Sequence, residues 1–241
     1  MEEIMKKSIC GFVCLALVVA VTLVALGGCQ KNQSNEEAGQ QILNAAVTQN
    51  EKAVNRAELI ATLESKNFDS TVAMMNRVKM THYQGDLIPL LMNLWDGNFA
   101  ETPQVDKAFV GHPRIRLEVA DVLLQASRNG SGFNLNPNDY VEYARKHATS
   151  EDAGVMQQAI LVLDIANDPK DLPLLEKLIA EEKTSTYRVL SIAYTNNCAV
   201  TKEAVERVSA TMKNQEIREY LYKLWDEVQE SRAFSCAKKV P

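Results

Sequence analysis

The residues that could carry chemistry are few and scattered along the chain. The three histidines are His82, His112 and His147, and no His-Glu-x-x-His or Cys-x-x-Cys spacing places two metal ligands together. His147 and Glu151 have i, i+4 spacing, but Ser150 between them is expected to begin a new helix and so to separate their side chains. The sequence therefore predicts surface or packing histidines, with no metal site and no cofactor.

Motifs for a nucleophile or a bound phosphate are also absent. The segment Asn129-Gly130-Ser131-Gly132 could form an anion-binding turn, but it lacks the lysine and following Ser/Thr of a P-loop, and no strand precedes it. There is no Gly-x-Ser-x-Gly elbow. Asp164 and Asp168 have helical spacing, yet Asp168-Pro169 indicates a turn. We assign no catalytic residue and expect a protein that is not an enzyme.

The N-terminal segment has the charge order of an export signal. Lys6 and Lys7 precede an apolar run from Phe12 to Leu26, which has the length of a secretory signal core and is short for a membrane span of roughly 20 residues. The run ends in Leu26-Gly27-Gly28-Cys29. This tetrapeptide resembles the lipobox of bacterial lipoproteins, which has an aliphatic residue, two small residues and an obligatory cysteine.

The lipobox resemblance implies a processed and lipidated protein. Residues 1–28 would be a signal peptide cleaved between Gly28 and Cys29, and Cys29 would carry diacylglycerol on sulfur and often a further acyl chain such as palmitate. Two or three acyl chains anchor a protein durably, because each buried CH₂ contributes about 0.8 kcal/mol. Gln30, where Asp would resemble an inner-membrane retention signal, favours the periplasmic face of the outer membrane in a Gram-negative source. An uncleaved anchor with an incidental cysteine is the alternative.

The rest of the chain divides into a tether and one domain. Residues 29–40 are polar, with Ala38 the one apolar residue after the cysteine, and are expected to form a lipid-bearing flexible tether. Residues 41–241 are expected to form a single all-helical domain.

The net charge limits the kinds of partner. The 241 residues carry a formal net charge of −5, and residues 1–28 contribute two lysines and two glutamates, so processing leaves that charge unchanged. An acidic surface repels phosphate backbones, and no basic stripe interleaved with aromatic residues is present. Nucleic acid is therefore not an expected partner.

Cys198 and Cys236 are the cysteines that remain after processing and lipidation. An even pair in an exported protein suggests a disulfide. A predicted helix from about Ala199 to Met212, a turn at Asn214 and a second helix to about Glu230 would bring the chain end back to Cys198. Two free buried thiols are the alternative.

Apolar residues recur with helical spacing through most of the chain, and sustained strand alternation is absent. The segment 155–166 is apolar on more than one face and is expected in the middle of the packing. Helix boundaries are indicated by prolines expected in first turns, by glycines expected after last turns and by a capping-box pair, namely Pro103, Pro113, Pro137, Gly97, Gly130 and Thr149 with Asp152. The sequence predicts an all-α fold of about ten helices.

Internal repetition is the main architectural signal. Asp86-Leu87-Ile88-Pro89-Leu90-Leu91 returns as Asp171-Leu172-Pro173-Leu174-Leu175, with the prolines 84 residues apart, twice a period of about 42. A helix with an early arginine follows each segment, with Arg116 in the first and Arg188 in the second. This resembles HEAT-like repeats over about Asp86 to Val228 and implies an irregular α-solenoid of antiparallel helix pairs. A plain irregular helical bundle is the alternative.

Tyr140 and Tyr143 form the predicted interface. They lie beside a long predicted loop, and aromatic residues are enriched at interfaces because they bury a large area with few torsions. Aromatic residues at helical spacing are also typical of a core, so the interface is a hypothesis.

These observations predict a membrane-anchored extracytoplasmic lipoprotein, held by lipid on Cys29, that acts as a scaffold or assembly factor through an unidentified envelope protein. The alternative is a periplasmic binding module for a small molecule or cell-wall fragment, which requires a deep pocket. A closed cavity beside His112 or Asn134 would favour that class. An enzyme would require a buried histidine or aspartate essential for turnover.

Overall fold

The fold is described from a computed structural model, in which the described residues are 53–80, 86–182 and 185–237. They belong to one compact unit. The predicted signal peptide (residues 1–28), the predicted tether (residues 29–40), Cys29 and His82 lie outside the described residues, so the expectations attached to them stay predictions. Among the helices of the described residues, none is both long enough and apolar enough to cross a membrane.

The described residues are 74% helical and contain no strand, so the all-α prediction is confirmed. Membership of a HEAT-like family stays a prediction. The eleven α-helices and one 3-10 turn of these residues are α1 (Arg56–Glu64), α2 (Phe68–Met80), α3 (Leu87–Trp95), α4 (Lys107–Gly111), α5 (Pro113–Arg128), α6 (Pro137–His147), α7 (Ala153–Ala166), the 3-10 turn (Pro169–Asp171), α8 (Leu172–Ala180), α9 (Tyr187–Asn196), α10 (Lys202–Thr211) and α11 (Gln215–Ala237).

Local side-chain chemistry explains where several helices begin. Pro113 and Pro137 occupy the first turns of α5 and α6, as predicted. Two expected boundaries were wrong. Pro103 lies in a turn, and α4 begins later because the Asp106 carboxylate accepts from the Ala108 amide (2.7 Å). Likewise α7 begins after Asp152, whose carboxylate accepts from the Gly154 amide (2.8 Å), and Thr149 does not cap it.

Helices α2, α5, α7, α9 and α11 lie side by side and run in the same direction. Near their starts, Arg114 of α5 contacts Asp69 of α2 (Nη2–Oδ1 3.4 Å), and the rings of Tyr187 in α9 and Tyr220 in α11 meet with centroids 5.3 Å apart. Near their ends, the Arg128 side chain of α5 donates to the last carbonyl of α7 (Nη2–O 2.5 Å). Contacts that join start to start and end to end require parallel helices.

The helices between them in sequence pack on this parallel set. Helix α6 contacts both α5 and α7, α8 contacts α9, and α10 contacts α11. Helix α7 packs against α5, α6 and α9, as its apolar faces predict, and its Ala159, Ile160 and Val162 have no exposed area. The buried side chains of all these helices form one continuous hydrophobic core.

Side chains connect the ends of α7, α9 and α11, where last-turn carbonyls have no partner inside their own helix. Asn167 follows α7 in the left-handed conformation (φ 48°), which asparagine tolerates better than most residues. Its Nδ2 donates to the Asn196 carbonyl (2.7 Å), and its Oδ1 accepts from the Cys198 amide (2.9 Å). Arg232 of α11 donates to the Asn197 carbonyl (3.0 Å). We call these four residues, Asn167, Asn196, Asn197 and Arg232, the asparagine junction.

A disulfide lies beside the asparagine junction. Cys198 and Cys236 have Cα atoms 5.6 Å apart and are joined through their sulfur atoms, which supports the predicted bridge. Helix α11 reaches Ala237, seven residues beyond the expected end at Glu230, and this extra length carries Cys236 back to the end of α9.

The repeated segments both become helices of nine residues, α3 and α8. Asp86 and Asp171 precede them, but neither side chain caps its helix. Asp171 instead accepts from Arg145 of α6 (Nε–Oδ1 2.6 Å), which fastens α6 to the start of α8. The two units differ because α4 is inserted between α3 and α5.

Candidate functional site

The structure separates the two tyrosines of the predicted interface. Tyr140 is 3% exposed and packs edge-on against Trp95 of α3, with ring centroids 5.0 Å apart. Tyr143, one turn later, is half-buried and meets Trp95 at 5.4 Å. Burial raises the pKa of both hydroxyls. An interface at this position stays a prediction, and Tyr143 is the member of the pair with surface to offer.

Arg116, near the start of α5, lies over these rings. Its Cζ is 4.2 Å from the centroid of Trp95 and 5.3 Å from that of Tyr143, both within cation–π range. Within the described residues, the guanidinium makes no hydrogen bond and no ion pair, whereas Arg114 two residues earlier pairs with Asp69. Aromatic faces therefore hold the charge of Arg116 in place and leave its N–H donors unused.

His147 completes the group on the other contact of Tyr143. Its ring centroid is 4.5 Å from that of Tyr143. Burial, and then the neighbouring charge of the exposed Lys146, lower the pKa of His147. We call Trp95, Arg116, Tyr140, Tyr143 and His147 the arginine–aromatic cluster. The spacing of 140, 143 and 147 along one helix face indicated part of it, but no sequence signal paired α6 with Trp95 and Arg116.

A cleft of about 480 Å³ lies at the starts of α9 and α11. Arg188 on its rim donates from Nε to the hydroxyl of Tyr187 (3.0 Å), and Gln157 of α7 donates to the Ser185 carbonyl (2.7 Å). The residues that line the cleft are Gln157, Ser185, Tyr187, Arg188, Val189, Asn214, Glu216 and Ile217. A second opening, of about 430 Å³, lies between Gly97 and Lys107.

Neither opening is lined by His112 or Asn134, the positions where a cavity was sought from the sequence. The His112 Nδ1 accepts from the Arg114 amide (3.3 Å) and its ring packs on Phe68, so this histidine begins α5. Asn134 is exposed. A binding cleft is thus present, but at a different place from the one considered.

A buried polar cluster joins α2, α5 and α7. Lys79 donates to Asp121 (Nζ–Oδ2 2.7 Å) and lies 3.5 Å from Glu118, and Gln158 also donates to Asp121 (3.2 Å). The two carboxylate side chains are 4% and 3% exposed. Burial raises the pKa of Glu118 to about 7 against the opposing effect of Lys79. Because these groups are buried and bonded to one another, they hold three helices together and offer no surface.

The remaining chemical residues have partners within the fold. Asp164 accepts from Asn196 (3.1 Å), and Asp168 accepts from Arg145 (2.8 Å). Gly130 and Gly132 have positive φ angles (68° and 76°) in the loop after α5. Among the described residues, no group of three or more His, Cys, Asp or Glu side chains is arranged to hold a metal ion.

Comparison with known proteins adds no relative. No family model, no curated protein and no solved structure matches the chain.

Proposed function

We propose that the protein is a lipid-anchored extracytoplasmic lipoprotein that acts as a scaffold by binding an envelope protein at the arginine–aromatic cluster. The observation that carries this proposal is Arg116, a guanidinium fixed over Trp95 and Tyr143 with no carboxylate partner among the described residues. Tryptophan, tyrosine and arginine are the residue types most enriched where binding energy concentrates. A preorganised arginine with unused donors suits an acidic side chain of a partner.

The proposed location has two supports. The sequence Leu26-Gly27-Gly28-Cys29 resembles a lipobox, which implies lipid on Cys29. The Cys198–Cys236 disulfide is a bond that persists in oxidising compartments and is rare in the cytosol. An anchored domain of packed helices would present the arginine–aromatic cluster at a constant distance from the membrane.

The anchor is tested by Cys29→Ala in the source cells. Wild-type protein should incorporate labelled fatty acid and lose the mass of residues 1–28, whereas Cys29→Ala should incorporate no label and remain unprocessed. Cys198→Ala serves as the matched control and should be labelled normally. Labelling of the Cys29→Ala variant would contradict the lipobox assignment.

The partner is tested by placing a photo-crosslinking residue at Lys146, which is exposed beside Tyr143 and His147. Irradiated membranes should give one protein adduct of defined mass. The same residue at Lys223 of α11, which is 74% exposed and outside the cluster, is the control and should not give this adduct. Equal adducts from both positions, or none from position 146, would count against a docking surface there.

A second candidate is favoured by the cleft at the starts of α9 and α11. Its volume of about 480 Å³ lies within the usual range of ligand pockets, about 300–1,000 Å³. The protein would then be an anchored binding module for a small molecule or cell-wall fragment, with Arg188 and Tyr187 at the mouth of its site. Titration of the purified chain with soluble wall fragments tests this reading.

A further inference from the structure

The cleft presents opposite charges on two sides. Arg188 belongs to the first turn of α9, Glu216 belongs to the first turn of α11, and both side chains are exposed where they line the cleft. The pKa of Arg188 is raised, first by its hydrogen bond to Tyr187 and to a lesser extent by Glu216. The two charges therefore feel each other, yet they form no ion pair within 4 Å in the described residues.

Arg188 is oriented by its neighbours. Its Nε donates to the Tyr187 hydroxyl (3.0 Å), and the Tyr187 ring rests edge-on against Tyr220. In the part of the chain that the structure describes, the two terminal nitrogens of Arg188 have no acceptor. A guanidinium fixed through Nε with both terminal nitrogens unused has the fork geometry that receives a carboxylate.

The start of α9 supplies further unused donors beside Arg188. The Thr186 side chain makes no capping hydrogen bond, and its hydroxyl is buried without a partner among the described residues. The amides of Tyr187, Arg188 and Val189, which all line the cleft, also have no acceptor in that part of the chain. The neighbouring helix α11, in contrast, is capped by Asn214 through the Ile217 amide (3.2 Å). A carboxylate in the cleft would satisfy these donors.

The opposite side of the cleft supplies acceptors. Glu216 has no cationic partner within the described residues, and Gln157 uses its Nε2 on the Ser185 carbonyl, which leaves its carbonyl oxygen as an acceptor. Val189 and Ile217 form an apolar wall between the charged groups. This arrangement is complementary to a ligand with a carboxylate, an ammonium group and small apolar side chains between them.

We propose that the cleft binds a short peptide with free termini, its carboxylate at Arg188 and the start of α9 and its ammonium group at Glu216. The inference rests on the second candidate function and specifies its ligand class. The scaffold function at the arginine–aromatic cluster uses different residues and does not depend on it.

The test uses the full processed chain in detergent micelles and calorimetric titration with four probes. These are trialanine, trialanine amide, N-acetyl-trialanine and chitotriose, a glycan without terminal charges. Trialanine should bind saturably, and either blocked form should bind about tenfold more weakly because one charged hydrogen-bonded contact is lost. Chitotriose should not bind.

Variants at the two charged residues separate the two ends of the ligand. Arg188→Gln should weaken trialanine binding about tenfold and remove the preference for the free carboxylate over the amide. Glu216→Gln should remove the preference for the free amine over the acetylated form. Arg207→Gln is the matched control, because Arg207 is 64% exposed on α10 and does not line the cleft, and it should bind like wild type.

Three results would overturn the proposal: no saturable binding of trialanine, equal binding of the acid and the amide, or unchanged binding by Arg188→Gln. Binding of chitotriose in place of trialanine would also overturn it while keeping the cleft as a binding module for glycans. The photo-crosslink at Lys146 is measured separately, so failure of the peptide site is distinguishable from failure of the scaffold function.

Discussion

At the scale of single residues, Glu118 shows how burial changes the charge of a side chain. Its carboxyl lies among α2, α5 and α7, and burial raises its pKa to about 7, whereas the ordinary value in an unfolded chain is 4.5. A carboxyl whose pKa is raised by folding favours the folded state most at low pH. Its contribution is lost as pH rises from 4.5 through 7, and the loss amounts to about 3 kcal/mol above pH 8.

Glu118→Gln should therefore stabilise the protein at high pH. The variant removes the ionisation but keeps a polar side chain beside Lys79, which retains its bond to Asp121. Its free energy of unfolding relative to wild type should increase between pH 5 and pH 8 by about 3 kcal/mol, as measured by urea denaturation. Glu227→Gln, at a 59% exposed position, is the control and should show no such trend. A difference that is independent of pH would contradict a raised pKa at Glu118.

Lys79 should be more costly to replace than Glu118. Lys79→Met leaves Asp121 and Glu118 buried without their cation, and breaking a buried ion pair from one side typically costs about 3–5 kcal/mol. Urea denaturation at pH 8 should show a loss of that order. Lys223→Met, which removes an exposed lysine, should change stability by less than about 1 kcal/mol. Equal effects of the two variants would show that the buried cluster does not bind the three helices together.

At the scale of elements, Asn167 connects α7 to α9. Asn167→Ala removes two side-chain hydrogen bonds and places alanine in a left-handed conformation, so it should destabilise the protein by about 3 kcal/mol in urea denaturation. Asn129→Ala after α5 is the matched control, because Asn129 has φ −83°. A loss below about 1 kcal/mol for Asn167→Ala would mean that the junction contributes little.

The disulfide closes a larger unit, from the end of α9 to the end of α11. Its sequence separation of 38 predicts about 4 kcal/mol of stabilisation by loop closure. Reduction of wild-type protein should lower its unfolding midpoint to that of the Cys198→Ser, Cys236→Ser double variant, and should not change the variant. A reducing agent that shifts both proteins equally, or neither, would contradict the bridge.

The sequence predicts helices better than the contacts between them. Periodicity correctly indicated α7 and its central position, because an apolar residue on every side of a helix requires neighbours on every side. Pro103 misled because proline at position one of a helix and proline in a turn look alike, and the start of α4 depends on Asp106 instead. The cluster around Tyr143 was only partly predicted, since Trp95 and Arg116 come from two other helices that packing alone brings to α6.

At the scale of the whole molecule, the account combines an anchored N-terminus with a helical domain that docks a partner. The anchor is expected from the lipobox at Cys29, and the domain carries its partner-facing charge at Arg116. The protein as a whole is acidic, with a net charge of −5, so long-range attraction would not bring an acidic partner to it. Recognition would depend on the local contact at Arg116, and it should therefore be sensitive to that one side chain.

The most direct test is the yield of the Lys146 photo-adduct in membranes that carry Arg116→Gln. The account predicts that Arg116→Gln reduces the adduct at least about tenfold, because the charged contact is lost while the aromatic rings remain. Arg114→Gln removes an arginine that already pairs with Asp69, and it should leave the adduct unchanged. An adduct of undiminished yield from a folded, membrane-bound Arg116→Gln protein would contradict docking at the arginine–aromatic cluster.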